Sequence, residues 1–280
     1  MKLTMMLMIT IFSLFGIDSS TLEMPNIPMI YDERSEVDVP ILMYHHITKE
    51  AAVVENSMTI TPERFDDHVQ TMIEMGYTPI FLEELIAYVE YGLALPEKPI
   101  CITFDDGYTS NYEYAFPILE KYDAKANIAI IGTSIGASKY KDTDNEIIPH
   151  FDMDAAREME KAGVISIISH TYDMHQAEAF ESGDKIRANA LRLESESDLE
   201  YENALKEDFE KITKILKEEL GKNNLILAYP YGKYTEESNA VLRELGVKMT
   251  LTTSSGTNKV KKGNSESLYN LHRYTIYENS

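Results

Sequence analysis

Two adjacent carboxylates and two histidines five positions apart are the residues of this sequence best suited to chemistry. Asp105 and Asp106 stand in the segment Thr103–Gly107 (TFDDG), and the histidines are His170 and His175. One carboxylate with two imidazoles is a common open shell for zinc or another divalent transition ion. A second carboxylate beside that shell could take the proton of an activated water. Taken singly, Asp-Gly is also a common turn and a histidine after a strand can be merely structural, so the case for one shared site depends on the two segments together.

Both segments follow apolar runs, and an alternation of strands and helices must bring them together. The predicted strands are Pro40–Tyr44, Tyr77–Ile80, Ile100–Phe104, Asn127–Ile131, Val164–Ser169, Leu225–Tyr229, Lys248–Thr252 and Arg273–Ile276. The predicted helices run from Pro62, with Thr61 as N-cap, to Gly76, from Asp152 to Ala162, from near Asp198 to Gly221, and from Glu236 to Leu245.

Repeated strand and helix units indicate an α/β fold with a parallel sheet covered by helices. Seven or eight such units favour closure into a barrel, with an open doubly wound sheet as the alternative. In either architecture the chemistry lies in loops after the carboxyl ends of the strands. The segment Tyr229–Gly232 (YPYG) also follows a predicted strand, and its proline makes the turn rigid.

The length, charge and cysteine content of the chain limit its domain number and its partners. The chain has 280 residues, 44% of them hydrophobic, which supports one large domain or two small ones. With 26 basic and 47 acidic side chains, its formal net charge is −21. Such a charge repels phosphate backbones and anionic lipids, and it excludes nucleic acid as the main partner. The single cysteine, Cys101, lies in an apolar run and is expected to be an inert core thiol.

The N-terminus has the pattern of an export signal. Lys2 precedes the mostly apolar run Leu3–Phe15, which falls short of the roughly 18–20 residues that span a bilayer. We therefore expect a signal peptide over residues 1–20, no stable membrane span and an extracellular protein. A buried N-terminal element and a retained anchor are the alternatives. Residues 21–38, with two prolines, are interpreted as a linker, and residues 39–280 as the folded domain.

The sequence resembles the polysaccharide deacetylases of the NodB-homology type, carbohydrate esterase family 4. The resemblance covers Val39 to Tyr277 and is carried by Thr103–Gly107, Ser169–His175, Tyr229–Gly232 and the opening Pro40–His46 (PILMYHH). It implies a single-domain, distorted (β/α)7–8 barrel. Carried over by position, it implies Asp105 as the catalytic base, Asp106, His170 and His175 as metal ligands, and Tyr229, Pro230 and Tyr231 as the substrate and oxyanion turn, with the backbone N–H of Tyr231 as donor.

Three departures from the family pattern refine this expectation. Most members space their metal histidines four apart, whereas a spacing of five is found in the branch of exported poly-N-acetylglucosamine deacetylases. The arginine that usually braces the base is replaced by Ala228. The C-terminal histidine motif is poorly matched by Leu271-His272, so the resemblance to the five-spaced branch favours His45 as the general acid, with His272 next.

The resemblance therefore implies a hydrolase that removes N-acetyl groups from an N-acetylglucosamine-containing polysaccharide, a cell-wall glycan or an exopolysaccharide, and releases acetate. It implies one divalent metal ion, with zinc expected and cobalt, nickel or iron as alternatives. The expected partner is the acetylated glycan, and the expected state is a monomer. An O-acetyl glycan esterase, a peptide-like amidase and a glycan-binding barrel without catalysis remain open at this stage.

Overall fold

The computed structural model describes residues 29–50, 58–183 and 185–280. Its strands are β1 (Glu36–Val39), β2 (Ile41–Tyr44), β3 (His46–Ile47), β4 (Thr59–Ile60), β5 (Thr78–Pro79), β6 (Pro99–Phe104), β7 (Ala126–Ile130), β8 (Ile165–Ser169), β9 (Ile226–Ala228), β10 (Met249–Leu251), β11 (Asn258–Lys261) and β12 (Tyr274–Thr275). Its α-helices are α1 (Pro62–Glu74), α2 (Leu82–Tyr91), α3 (Phe116–Tyr122), α4 (Met153–Ala162), α5 (Asp198–Leu220) and α6 (Glu236–Glu244).

The main sheet is parallel and closes on itself. Its strands run in the order β10-β9-β8-β7-β6-β2-β12, and β5 pairs with the start of β6. Leu271 forms a parallel bridge with Leu251 of β10, while Tyr274 and Thr275 of β12 pair with β2. The last segment of the chain thus lies between the two ends of the sheet. The predicted distorted α/β barrel is confirmed, and the open doubly wound sheet is not the fold.

Residues along each strand alternate between two cores. On β6, Ile102 and Phe104 face outward and pack with Phe65 of α1 and with α3. Cys101 faces inward, in a cluster that includes Leu85 of α2. Helix α2 therefore covers the barrel interior at the end opposite the carboxyl ends of the strands, which leaves that other end free for a site. Cys101 is buried, and its burial raises its pKa, in keeping with the predicted inert thiol.

The helix boundaries follow local signals in the sequence. Thr61 accepts a hydrogen bond from the Arg64 N–H at the start of α1, and Pro62 occupies the first helical position. The long helix α5 begins with a capping box at Ser197 and ends at Gly221, whose φ of 68° suits glycine. These starts and stops agree with the predicted helices to within a few residues.

The folded domain begins earlier than predicted. Residues Glu36–Val39 were expected to belong mostly to the linker, but they form β1, which pairs antiparallel with β11. Asp32 is buried and accepts hydrogen bonds from Arg34 and from the Leu95 N–H. Proline content further upstream suggested a linker, yet the alternation of Val37 and Val39 is that of a strand with one buried face. The predicted signal peptide and residues 21–28 lie outside the described residues.

Within the described ranges, the structure contains no helix of the length and apolar character needed to cross a bilayer.

A buried ion cluster holds α2 against the strands. Lys222 Nζ lies 2.7 Å from Glu160 Oε1 and 2.6 Å from Ser166 Oγ, and it is 3.7 Å from Glu83 Oε1. Asn127 Nδ2 donates to the other carboxylate oxygen of Glu83. The side chains of Lys222 and Glu83 are each only 4% exposed. The buried carboxylate of Glu83 is therefore held by hydrogen bonds from Asn127 and Ser166 and by the nearby charge of Lys222.

We expect Lys222→Met to lower the free energy of unfolding by about 3–5 kcal/mol, because it leaves a buried carboxylate without its cation. Urea unfolding measures the change. The matched control is Lys214→Met, which removes a lysine that is 72% exposed on α5 and should leave the free energy of unfolding nearly unchanged. Equal small effects of both substitutions would show that the cluster contributes nothing to stability.

Candidate active site

Three turns at the carboxyl ends of the strands form the site. Asp106, Thr171 and Tyr231 have φ values of 74°, 74° and 55°, so each adopts the left-handed conformation without being glycine. These are three of six such residues in the described part of the chain, and each lies in one of the three segments singled out from the sequence. Backbone strain of this kind persists where surrounding contacts over-determine it, as they do at functional sites.

The predicted metal ligands converge. Asp106 Oδ1 lies 3.5 Å from His170 Nε2 and 3.6 Å from His175 Nε2. One atom from each of the three residues can be chosen so that all lie within 4.8 Å of one another. Neighbouring ligands of a tetrahedral ion with bonds of about 2.0–2.1 Å are separated by roughly 3.3–3.4 Å, so these donors have the spacing of a metal shell. Asp106 Oδ1 is also buried without a hydrogen-bond partner among the described residues.

Neighbouring groups prepare the ligands for a metal. His170 Nδ1 donates to the carbonyl oxygen of Ala228 at 2.7 Å, which leaves the Nε2 lone pair directed at Asp106. Burial lowers the pKa of His170 to about 4, so the imidazole is neutral at neutral pH. Burial would raise the pKa of Asp106, but the surrounding histidines, led by His45, outweigh it and hold that pKa below its ordinary value.

Asp105 is braced by Arg273, which the sequence reasoning missed. Arg273 Nη1 and Nη2 donate to the two carboxylate oxygens, each at 2.7 Å, in a bidentate pair. Burial acts to raise the pKa of Asp105, yet the Arg273 guanidinium overcomes it and holds that pKa far below its usual range. The replacement of the expected arginine by Ala228 showed that a brace was missing. Nothing in the local sequence showed that residue 273 would supply it.

Arg273 is fixed from several sides. Its side chain is 0% exposed, Nε donates to the Thr252 carbonyl oxygen at 2.8 Å, and Nη1 is 3.3 Å from Thr103 Oγ1. The residue lies between Leu271 and β12, in the segment that joins the two ends of the sheet. The segment that closes the barrel therefore also carries the arginine that keeps Asp105 ionised.

The two candidates for the general acid differ in position. His45 Nε2 is 3.9 Å from Asp105 Oδ2, its side chain is largely buried, and its Nδ1 has no hydrogen-bond partner among the described residues. His272 is exposed, whereas the next residue, Arg273, points inward. The geometry therefore places His45, and not His272, beside Asp105.

In the turn after β9, Tyr231 faces the candidate site, whereas Tyr229 and Pro230 are buried. Tyr231 is 56% exposed, and its ring centroid lies 4.8 Å from that of His175. Tyr229 was predicted to contact substrate, but it is fully buried, and its hydroxyl is 3.0 Å from both Ser238 Oγ and Asn239 Oδ1. Pro230 is buried as well. Strand alternation explains the outcome, because Tyr229 follows Ala228 on the opposite face and packs toward α6.

These groups open into a cleft of about 490 Å³. Its walls include Asp105, Asp106 and the three site histidines, together with apolar or aromatic side chains of Met58, Tyr108, Ile148 and Tyr231. Lysine and arginine are absent from the described lining. A cleft in which a few polar atoms converge on an apolar wall is typical of a site for a small molecule.

Known proteins share this sequence pattern. The sequence model of the polysaccharide deacetylase family matches residues 93–250, more than half of the chain. The putative polysaccharide deacetylase YxkH of Bacillus subtilis is 29% identical over 238 residues, which cover 85% of this chain and 71% of that protein. The poly-beta-1,6-N-acetyl-D-glucosamine N-deacetylase of Escherichia coli K12 is 27% identical over 77% of this chain, but the match spans only 34% of its own length.

Solved structures share the fold. The de-N-acetylase of Aggregatibacter actinomycetemcomitans superposes with a TM-score of 0.72 at 24% identity, over 87% of this chain and 97% of that one. IcaB of Ammonifex degensii gives a TM-score of 0.69 at 23% identity, over 87% of this chain and 93% of the other. The match of sequence and the match of fold agree with the geometry of the cleft, and the chain belongs to the polysaccharide deacetylase family.

Proposed function

We propose that this protein is a metal-dependent N-deacetylase that hydrolyses N-acetyl groups of an N-acetylglucosamine polysaccharide and releases acetate. The observation that carries the proposal is the meeting, in one cleft, of a three-ligand shell and a separately charged carboxylate. Asp106, His170 and His175 have the spacing of metal ligands, and Asp105 is held ionised beside them. Relatives named as N-deacetylases of poly-beta-1,6-N-acetyl-D-glucosamine support this choice of substrate class.

The three ligands divide the work of holding the ion. His170 and His175 supply imidazole nitrogen donors, and Asp106 supplies a carboxylate oxygen that otherwise lacks a partner among the described residues. Such a donor set suits zinc first, with cobalt, nickel or iron as alternatives. A divalent ion bound there polarises the acetyl carbonyl and lowers the pKa of a water molecule.

The remaining side chains move protons and hold charge. Asp105 accepts a proton from the attacking water, and Arg273 keeps this carboxylate ionised and correctly turned. As the new C–O bond forms at the acetyl carbon, the backbone N–H of Tyr231 donates to the developing oxyanion. His45 then gives a proton to the sugar nitrogen as the C–N bond breaks. The products are acetate and a free amine.

His45 favours the amide over the ester as substrate. An amine is a poor leaving group unless it is protonated, whereas a sugar alkoxide leaves more readily. An imidazole 3.9 Å from the proposed base is in place to protonate the nitrogen. For this reason we rank O-acetyl esterase activity second, and a barrel that binds glycan without catalysis third.

We also propose that the protein acts outside the cell. The run Leu3–Phe15 has the length of a signal-peptide core, and the proposed substrate is an extracellular polymer or a cell-wall glycan.

We expect Arg273→Lys to lower kcat about 100-fold, since lysine keeps the charge but cannot make the bidentate pair that orients Asp105. Metal content should stay at the wild-type level because the ligands are untouched. The measurement is steady-state acetate release from N-acetylglucosamine oligomers, with metal analysis of the same sample. Wild-type kcat in this variant would show that Arg273 does not orient the base.

The two adjacent carboxylates should separate into two roles, and their comparison tests the proposed function. Asp105→Asn should retain metal yet lose roughly 10²–10⁴-fold in rate, because only the proton acceptor is lost. Asp106→Asn should weaken metal binding, and added metal should restore part of its activity. Metal analysis after dialysis and acetate release decide between them. The opposite pattern, with metal lost only from Asp105→Asn, would reverse the assignment.

His45→Ala should affect substrates according to their leaving groups. We expect hydrolysis of N-acetyl glycans to fall strongly, while activated aryl acetates, whose leaving groups need no proton, should be spared. Rates on both substrate types, measured with the same metal-loaded sample, provide the comparison. His272→Ala is the matched control and should leave both rates unchanged. Equal losses on both substrates in His45→Ala would rule out His45 as the general acid.

A further inference from the structure

Asp208 is a buried carboxylate that the reaction steps do not use. Asp208 lies on α5 and is 7% exposed. Its Oδ1 accepts a hydrogen bond from the Tyr172 N–H at 2.8 Å, and its Oδ2 accepts one from the Asp173 N–H at 2.7 Å. Both N–H groups belong to the loop between the two histidine ligands. A carboxylate, which only accepts hydrogen bonds, is matched to two neighbouring donors.

The opposite side of the same loop is held by backbone donors. Gly132 N–H donates to the Thr171 carbonyl oxygen at 3.0 Å, and Thr133 N–H donates to the Tyr172 carbonyl oxygen at 2.9 Å. Gly132 leaves no room for a side chain, because a Cβ there would lie 3.0 Å from the Tyr172 Cα. The loop is thus clamped between a short turn and a helix, and its Thr171 keeps a positive φ.

Asp208 forms no salt bridge with the described residues, although the charge of Lys211 acts on it from further away. A buried carboxylate of this kind is an expensive way to hold a loop for stability alone. Burial raises the pKa of Asp208 to about 6, although the two backbone donors act to lower it. A neutral side chain would avoid this desolvation cost. Fixing two successive N–H groups at once, however, requires two acceptor atoms in a set geometry, which the carboxylate provides.

We infer that Asp208 is a positioning residue for the metal centre, which sets the loop between His170 and His175 so that both imidazoles reach the same ion. The inference rests on the proposed metal site. The two histidines are five positions apart in the sequence, so the conformation of the loop between them decides where His175 lies. With the loop held by Asp208, His175 Nε2 lies 3.6 Å from Asp106 Oδ1. Without the clamp, the strained backbone at Thr171 is free to relax and to carry His175 away.

The test is Asp208→Asn in the full chain, with Co²⁺ as the probe. The amide oxygen can accept from one N–H, but its NH₂ group faces the other, so one of the two hydrogen bonds is lost. Affinity for Co²⁺, measured by competition with a chelator and by the visible spectrum of the bound ion, should fall roughly 10–100-fold. Hydrogen exchange should become faster at the amides of Tyr172 and Asp173, while protection elsewhere stays at the wild-type level.

Two further variants keep the test decisive. Glu207→Gln makes the same charge change on the exposed face of α5, one residue away, and should bind Co²⁺ like the wild type. Gly132→Ala pushes the loop from its other side and should weaken Co²⁺ binding even if Asp208→Asn fails to fold.

The results of these measurements distinguish the positioning role of Asp208 from the existence of the metal site. Wild-type Co²⁺ affinity in both Asp208→Asn and Gly132→Ala, or equal losses in Glu207→Gln and Asp208→Asn, would overturn the positioning role and leave the metal site standing. Failure of the wild-type protein to bind one equivalent of Co²⁺ would overturn the metal site, and the inference with it.

Discussion

Two successive carboxylates, Asp105 and Asp106, must stay charged in an interior that penalises charge. Arg273 meets this constraint for Asp105 with two hydrogen bonds of 2.7 Å, and the histidines surrounding Asp106 lower its pKa. An unpaired carboxylate at the same depth would take up a proton instead. Because Arg273 lies in the segment that joins β10 to β2, the contacts that close the barrel also fix the charge state of Asp105.

The three candidate metal ligands likewise depend on neighbouring groups that hold them in place. Strand ends bring Asp106 and His170 together, but His175 lies beyond a strained loop and depends on contacts from outside the barrel. The Ala228 carbonyl fixes the tautomer of His170, and Asp208 holds the backbone between the histidines. None of these partners needs to contact substrate. Their shared effect is that the ligand atoms stand near the separations of a tetrahedral shell before an ion arrives, which reduces the cost of binding it.

The features that could be predicted from the sequence are those set by residues close together in the chain. Helix caps at Thr61 and Ser197, alternating apolar strands and polar residues at strand ends are written in short windows, so the barrel and the TFDDG and histidine segments could be predicted. Arg273 could not, because its pairing with Asp105 spans 168 residues and depends on how the last segment closes the sheet. Tyr229 was assigned to the cleft because it is part of a family motif, yet the strand turns its side chain inward. Residues 36–38 were assigned to a linker because their partner strand, β11, is more than 200 residues away.

Locating the bound ion directly would test whether Asp106, His170 and His175 are the metal ligands. Crystals of the full chain soaked in Zn²⁺, with anomalous scattering measured at the zinc edge, show where the ion lies. We predict one peak bound by Asp106 Oδ1, His170 Nε2 and His175 Nε2 at about 2.0–2.1 Å, with Asp105 paired to Arg273 and outside the shell. A peak ligated by Asp105, or full occupancy at a place that lacks the two histidines, would contradict this prediction.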